Sequence, residues 1–253
     1  MAMKQPMERS AYHDKSSLET EQTGFSAFFT EEQWKSIQGL MSERRAEAGH
    51  FLFWEGEAAD KLIFVLSGKV KLRKSTEDGK EFILSILQSG DLIGGPEAGR
   101  HSVYGFSAEV AEEATIGVLP WMDLEKLLMA SGELAMRWMN GMALQQRIAE
   151  SKFRDLLLYG KPGALASTLI RLANSYGVLR KDGMEIGLRL TNAELAEFIG
   201  TTRESVNRML ASMKDDGIIT VRNGLITIVD QAALRRICGC PQCPACPKEV
   251  CRI

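Results

Sequence analysis

The chain has 253 residues, 45% of them apolar and 25% charged, the composition of a globular protein with room for two ordinary cores. No apolar run approaches the length of a bilayer span, so a membrane protein is not expected, and the polar opening MAMKQPMERSAYHDKSSLETEQTG fits neither a secretory signal nor an anchor. The expected location is the cytoplasm. The net charge of −2 argues against a nucleic-acid partner, but it hides an asymmetry: from Gly160 to Ile253 there are 13 Lys/Arg against 9 Asp/Glu. A basic C-terminal part on an acidic body suits a DNA-reading module carried by a sensor or dimerisation domain.

In chain order, residues 1–24 read as a flexible polar tail. Residues 25–120 read as short strands between turn signals: two strands around Ser67-Gly68 in LIFVLSGKVKLRKS, a turn at Asp78-Gly79, then a strand. Short strands at regular spacing predict an antiparallel β-roll. From Trp121 to about Tyr159 Gly and Pro nearly vanish and apolar residues recur at helical spacing. Leu134, Trp138, Met142, Ala149 and Leu156 form a stripe suited to an equivalent helix of a second copy, which makes 121–160 a dimerisation helix region. Gly160-Lys161-Pro162-Gly163 is expected to end the helix and mark a hinge.

Within 161–237, the segment LTNAELAEFIGTTRESVNRMLASMKDDGII predicts a helix-turn-helix. Thr191 or Asn192 caps a short helix that buries Leu195, Ala196 and Ile199. Gly200 supplies the sharp turn, and Thr201 or Thr202 caps a second helix that buries Val206, Met209 and Leu210. Its opposite face projects Arg203, Glu204, Asn207 and Arg208, on the turns that enter the major groove in this motif. Arg can donate twice to guanine and Glu can accept from cytosine N4. The following IITVRNGLITIV, with Asn223-Gly224 at its centre, predicts a hairpin and hence a wing. The fold class expected is α+β: an N-terminal antiparallel β-roll, a long dimerisation helix and a C-terminal winged helix-turn-helix.

All five cysteines lie in 238–253: Cys238, Cys240, Cys243, Cys246 and Cys251. Clustering in a terminal tail reads as a metal or cluster site rather than a disulfide scaffold. On spacing alone a structural zinc, an iron–sulfur cluster and redox thiols all remain open. The three histidines, His13, His50 and His101, match no nucleophile elbow or metal-binding spacing, so no enzyme is expected.

The strand-rich first part, the long helix and LTNAELAEFIGTTRESVNRML with its wing together resemble the cyclic-AMP receptor protein/Fnr superfamily, over nearly all of the chain after Gly24. The resemblance implies a homodimer on double-stranded DNA. Arg203, Glu204 and Arg208 would read a palindromic TGTGA-type site, with Asn207 and Thr202 beside them and RNA polymerase as a further partner. The family's cyclic-nucleotide pocket uses a Phe-Gly-Glu turn and an Arg-Ser/Thr-Ala stretch. Here the comparable residues are Ile93-Gly94-Gly95 and Phe106-Ser107-Ala108, without the Glu or the phosphate-pairing Arg, so no cyclic nucleotide is expected. The tail's Cys-x2-Cys-x4-Cys resembles the Bacillus-type Fnr oxygen regulators. That resemblance implies a [4Fe-4S] cluster on Cys243, Cys246 and Cys251, with Asp155 as fourth ligand and Cys240 as the alternative. It further implies an oxygen-responsive activator of anaerobic metabolism genes. The competing expectation is a metabolite- or nucleotide-responsive regulator with a structural zinc in the tail.

Overall fold

A computed structural model describes residues 23–94, 102–240, 247 and 249–253. The fold is α+β. Of the tail expected over 1–24, all but Thr23 and Gly24 lies outside the described residues. Gly24 already opens a 3-10 helix, Gly24–Phe28, that sends Phe25 into the core.

Helix α1 (Glu31–Gln38) leads into six strands: β1 (Ser42–Ala46), β2 (Phe51–Phe53), β3 (Lys61–Ser75), β4 (Glu81–Leu87), β5 (Leu92–Ile93) and β6 (Ser107–Pro120). They form one antiparallel sheet in the order β1-β6-β3-β4, with β2 on β6 and β5 on β3. The two strands expected around Ser67-Gly68 are one. Gly68 adopts φ +81° inside β3, and the register against β6 slips between Val65 and Val70. A Cβ on Gly68 would stand 2.2 Å from the Glu113 carbonyl oxygen, so this glycine makes a bulge where the sequence suggests a turn. The turn at Asp78-Gly79 does join two strands, β3 and β4. The sheet's inner face is closed by Phe53, Val65, Val70 and Val110, with Tyr104 stacked on Phe53 at 3.6 Å between centroids.

The helix expected from Trp121 to Tyr159 is two, α2 (Trp121–Ala130) and α3 (Gly132–Leu158). Ser131 breaks it: its backbone is extended, and its hydroxyl accepts the Leu134 N–H at 3.3 Å as an N-cap. At its other end α3 stops before Gly160, whose φ is +61°. Gly160-Lys161-Pro162-Gly163 is not a loop but the first turn of α4 (Gly160–Tyr176), where a proline is tolerated because early N–H groups lack helical acceptors. Residues Gly163 to Ala173 of α4 are all buried, so this helix is the central post of the C-terminal part.

Around α4 pack α5 (Asn192–Phe198), α6 (Arg203–Asp215) and α7 (Gln231–Ile237). A four-stranded sheet in the order β7-β8-β10-β9 completes it, from β7 (Gly177–Arg180), β8 (Gly183–Ile186), β9 (Ile219–Arg222) and β10 (Leu225–Ile228). The β9–β10 hairpin turns at Asn223 (φ +52°) and Gly224 (φ +77°), the positive pair that such a turn requires. Strands β7 and β8 carry no comparable signal beyond Asp182-Gly183, and sequence reasoning missed them. The roll and the C-terminal part share a core: Ile83 and Ile86 of β4 are buried in the same cluster as Leu165, Leu169 and Val206.

Of the stripe expected to meet a second copy, four residues pack within the chain and Ala149 stays exposed. Leu134 and Trp138 are buried against Phe25, Phe29 and Phe64, Met142 joins the same cluster, and Leu156 packs on the C-terminal core. A bulky aromatic neighbour at Phe25 claims that face first. The large apolar residues that α3 leaves in solvent are Met136, Met139, Phe153, Leu157 and Leu158.

Candidate DNA-reading surface and tail site

The candidate surface is built by two caps and one turn. Thr191 caps α5 by accepting the Glu194 N–H at 3.1 Å, while the Glu194 carboxylate takes the Thr191 N–H at 2.8 Å. Gly200, at φ +59°, turns the chain, and Thr202 caps α6 by accepting the Ser205 N–H at 3.3 Å. Val206, Leu210 and Met213 then bury one face of α6, with Met209 partly buried beside them. The helical period throws Thr202, Arg203, Glu204, Asn207 and Arg208 into solvent together. Arg203 borders one groove with Asn192 of α5 and Val221 and Gly224 of the hairpin, which places the wing beside the start of α6. Asn207 accepts a hydrogen bond from the Asn192 amide, a partner that sequence reasoning missed. Phe198, also missed, is buried beside Leu195 and Ala196, while the C-cap Ile199 completes that face.

The roll grips α5 through charge. Lys71 pairs with Glu194, and Arg73 reaches Glu197 at 3.0 Å, Glu81 at 2.7 Å and Glu109 at 3.1 Å. Burial alone would raise the Glu194 carboxyl. Hydrogen bonds from Lys71 and Thr191, with the Lys71 charge, hold it below its ordinary value.

The second candidate site lies where the end of α3 meets the tail. Asp155 is only 4% exposed, not a solvated helix charge. Its Oδ1 takes Arg154 Nη2 at 2.6 Å, its Oδ2 takes Arg171 Nη2 at 2.6 Å, and the Ser167 hydroxyl donates to the same oxygen. Burial works to raise this carboxyl, but the bonds from Ser167, Arg171 and Arg154 outweigh it and hold it low. Arg171, itself buried, also donates to the carbonyls of Val250 (3.1 Å) and Arg252 (3.2 Å), so one guanidinium ties α3, α4 and the C-terminus. Asn174 adds a bond to the Cys251 carbonyl at 2.8 Å.

Cys238, Cys240 and Cys251 line one small cavity together with Asp155, Ser167 and Arg171. It has room for about one water. Burial, with Cys240 and Asp155 nearby, pushes the Cys238 thiol up to about 11. Cys243 and Cys246 lie outside the described residues. Among the described residues no three His, Cys, Asp or Glu side chains converge to hold a metal ion. Arg171 and Ser167 were invisible to sequence reasoning, since nothing local marks a buried arginine on an apolar helix.

Comparison with known proteins sets these features in a family. The Crp-like helix-turn-helix domain matches residues 163–237, and the cyclic nucleotide-binding domain matches residues 43–131. The anaerobic regulatory protein of Bacillus subtilis is 40% identical over 233 residues, covering 90% of this chain and 95% of that protein. The chain belongs to the CRP/FNR family of transcription regulators.

A CRP-like cAMP-activated global transcriptional regulator of Mycobacterium tuberculosis is 28% identical over 74% of this chain and 84% of its own. Among solved structures, a CRP-family transcriptional regulator from Thermus thermophilus superposes with a TM-score of 0.66 at 24% identity, covering 78% of this chain and 96% of that one. A CooA mutant from Carboxydothermus hydrogenoformans gives 0.68 at 22% identity, over 80% and 90%. As a CRP/FNR regulator the chain is a DNA-binding protein and not a member of an enzyme family. No helix among the described residues is long and apolar enough to cross a membrane. Of the residues compared with the family's nucleotide pocket, Gly95 lies outside the described residues, while Gly94 packs near Tyr104.

Proposed function

We propose that this regulator responds to oxygen, binds a palindromic TGTGA-type site as a homodimer, and controls genes of anaerobic metabolism from the cytoplasm as an activator that contacts RNA polymerase. Arg203, Glu204 and Arg208 would read base edges, with Asn207 and Thr202 at the groove wall. The observation that carries the oxygen reading is the cavity in which Asp155 of α3 meets Cys251 and Cys240 of the tail, more than 80 residues away in sequence. The likeness to an anaerobic regulatory protein supports it.

The donor set fits an iron–sulfur cluster: soft thiolates from Cys243, Cys246 and Cys251, with Asp155 as fourth ligand and Cys240 as the alternative. Bound there, a [4Fe-4S] cluster would supply an oxygen-labile centre with one harder corner. The chain's own residues prepare the site. Arg154, Arg171 and Ser167 keep Asp155 ionised, so no proton has to leave before it can ligate. Arg171 holds the Val250 and Arg252 carbonyls, which keeps Cys251 near the end of α3. Since α4, which carries Arg171, is also the post on which α5 and α6 pack, the state of the tail is mechanically joined to the recognition helix.

A structural zinc in the tail, with a nucleotide in the roll, is the competing function. The cyclic nucleotide-binding domain match favours it. The Phe53–Tyr104 stack inside the roll, and the absence of the phosphate-pairing Arg before Ser107, weigh against a cyclic nucleotide.

Two serine variants, purified without air, test the ligand set. Cys251→Ser is expected to lose most of its iron and its tight operator binding, whereas Cys238→Ser keeps both. Equal iron in the two variants would overturn Cys251 as a ligand.

A further inference from the structure

The last four residues are tied down from two sides. Helix α4 holds their backbone: Arg171 donates to the Val250 and Arg252 carbonyls, Asn174 donates to the Cys251 carbonyl, and the Ser175 hydroxyl accepts the Ile253 N–H at 3.1 Å. Val250 and Ile253 are buried, Ile253 in the core that Ile83 and Ile86 of the roll share with α4. The side chain of Arg252 reaches the other way, to the roll, where its Nη2 lies 3.8 Å from Asp91 Oδ2.

Asp91 is a fixed receptor. The Gly90 N–H donates to the Val65 carbonyl at 2.8 Å, the Val65 N–H donates to the Asp91 carbonyl at 3.0 Å, and Asp91 Oδ2 accepts the Gln88 N–H at 3.0 Å. Gly24 lies so close that a Cβ there would stand 2.2 Å from Asp91 Oδ1, so the 3-10 helix closes over the carboxylate. Burial raises this carboxyl, while the Arg252 charge, the Gln88 bond and the Lys152 charge oppose it. An ion pair with one partner already fixed loses less side-chain entropy than a mobile surface pair.

We propose that Arg252 and Asp91 are positioning residues for Cys251: by pairing they dock the end of the tail on the roll and set where the Cys251 thiolate faces Asp155. Cys251 shares its small cavity with Asp155, and Arg252 is the next residue in the chain, so the direction of one side chain constrains the other. The roll supplies none of the proposed ligands, yet it takes part in the site through Asp91. The positioning role rests on Cys251 as a cluster ligand; the docking itself does not.

Two measurements on the full-length protein test this. In the first, the metal-free, reduced protein is alkylated with iodoacetamide, and the rate at each cysteine is followed by mass spectrometry. Arg252→Gln and Asp91→Asn are each expected to raise the rate at Cys251 about fivefold and to leave the buried Cys238 unchanged. The double variant should be no faster than either single one, and Arg252→Lys should restore most of the protection. The parent rate at Cys251 in Arg252→Gln overturns the docking, as do effects that add in the double variant. If Asp91→Asn speeds Cys238 as well, Arg252→Gln decides alone. In the second, iron release to a chelator from anaerobically purified protein should quicken in the same two variants. Unchanged release beside faster alkylation overturns the positioning role. A parent that holds no iron overturns the cluster reading and the positioning role with it, while the alkylation rates still judge the docking.

Discussion

Single residues in this chain carry contacts that join distant parts of it, and Arg171 is the clearest case. It is 3% exposed on a helix with no other charge after Lys161, and it satisfies Asp155 and two tail carbonyls. A guanidinium is suited to this, since its five donors fan out in a plane and stay charged. Removing one partner of a buried pair leaves the other uncompensated. Arg171→Met is therefore expected to lower stability by about 3–5 kcal/mol, read by urea unfolding, and to open the C-terminus at Val250 and Arg252 to carboxypeptidase. Stability within 1 kcal/mol of the parent would show the pair to be dispensable. Asp155 itself was singled out in the sequence only through the tail's likeness to a family of oxygen regulators. Arg154, its neighbour in sequence, does bind it, while the other partners, Arg171 and Ser167, lie a helix away. Pairings between helices leave no local mark, which is why they were not legible.

Among the elements, α5 shows how capping and docking use the same atoms. Glu194 closes the capping box with Thr191 and pairs with Lys71 on the roll. Its folded pKa is depressed, so its contribution to stability is complete above the unfolded value and is lost as pH falls through the folded one. Acid unfolding below about pH 4.3 should be shallower in Glu194→Gln than in the parent, and less stable overall at pH 7. Identical acid limbs would contradict the assignment. Helix α5, the Gly200 turn, α6 and the β9–β10 hairpin were all legible, because caps, positive-φ turns and exposed charges are local chemistry. The long helix was legible in extent but not in its break, where Ser131 prefers capping to continuing, nor in the direction of its faces. Periodicity finds the apolar stripe but not what covers it, and here Phe25 and its neighbours do. Of the large apolar residues that α3 leaves exposed, Met136, Met139, Phe153 and Leu157 are spaced by three, fourteen and four residues, the period of a two-helix seam, with Leu158 beside it. Replacing Phe153 and Leu157 together with Glu is expected to turn a dimer into monomers by light scattering and to abolish tight operator binding. A dimer that survives both changes would move the interface elsewhere.

At the scale of the whole molecule, the roll, α3 and the helix-turn-helix unit are not beads on a string. Ile83 and Ile86 of the roll sit in the same core as α4 and α6, and Lys71 and Arg73 clamp α5 from the same hairpin. Sequence reasoning divides the chain at its composition changes and so misses this shared core, since the residues that form it are ordinary strand residues of β4. Arg171 and the buried α4 thus join the tail to α6 through hydrogen bonds and one continuous core.

The measurement that bears most directly on this account is operator affinity before and after air, on protein purified anaerobically and assayed for iron, sulfide and zinc. The account predicts a brown protein with about four irons per chain that binds a TGTGA-type palindrome tightly. Air should remove the colour and the binding together. A colourless protein with one zinc per chain, whose DNA affinity ignores oxygen, would contradict it.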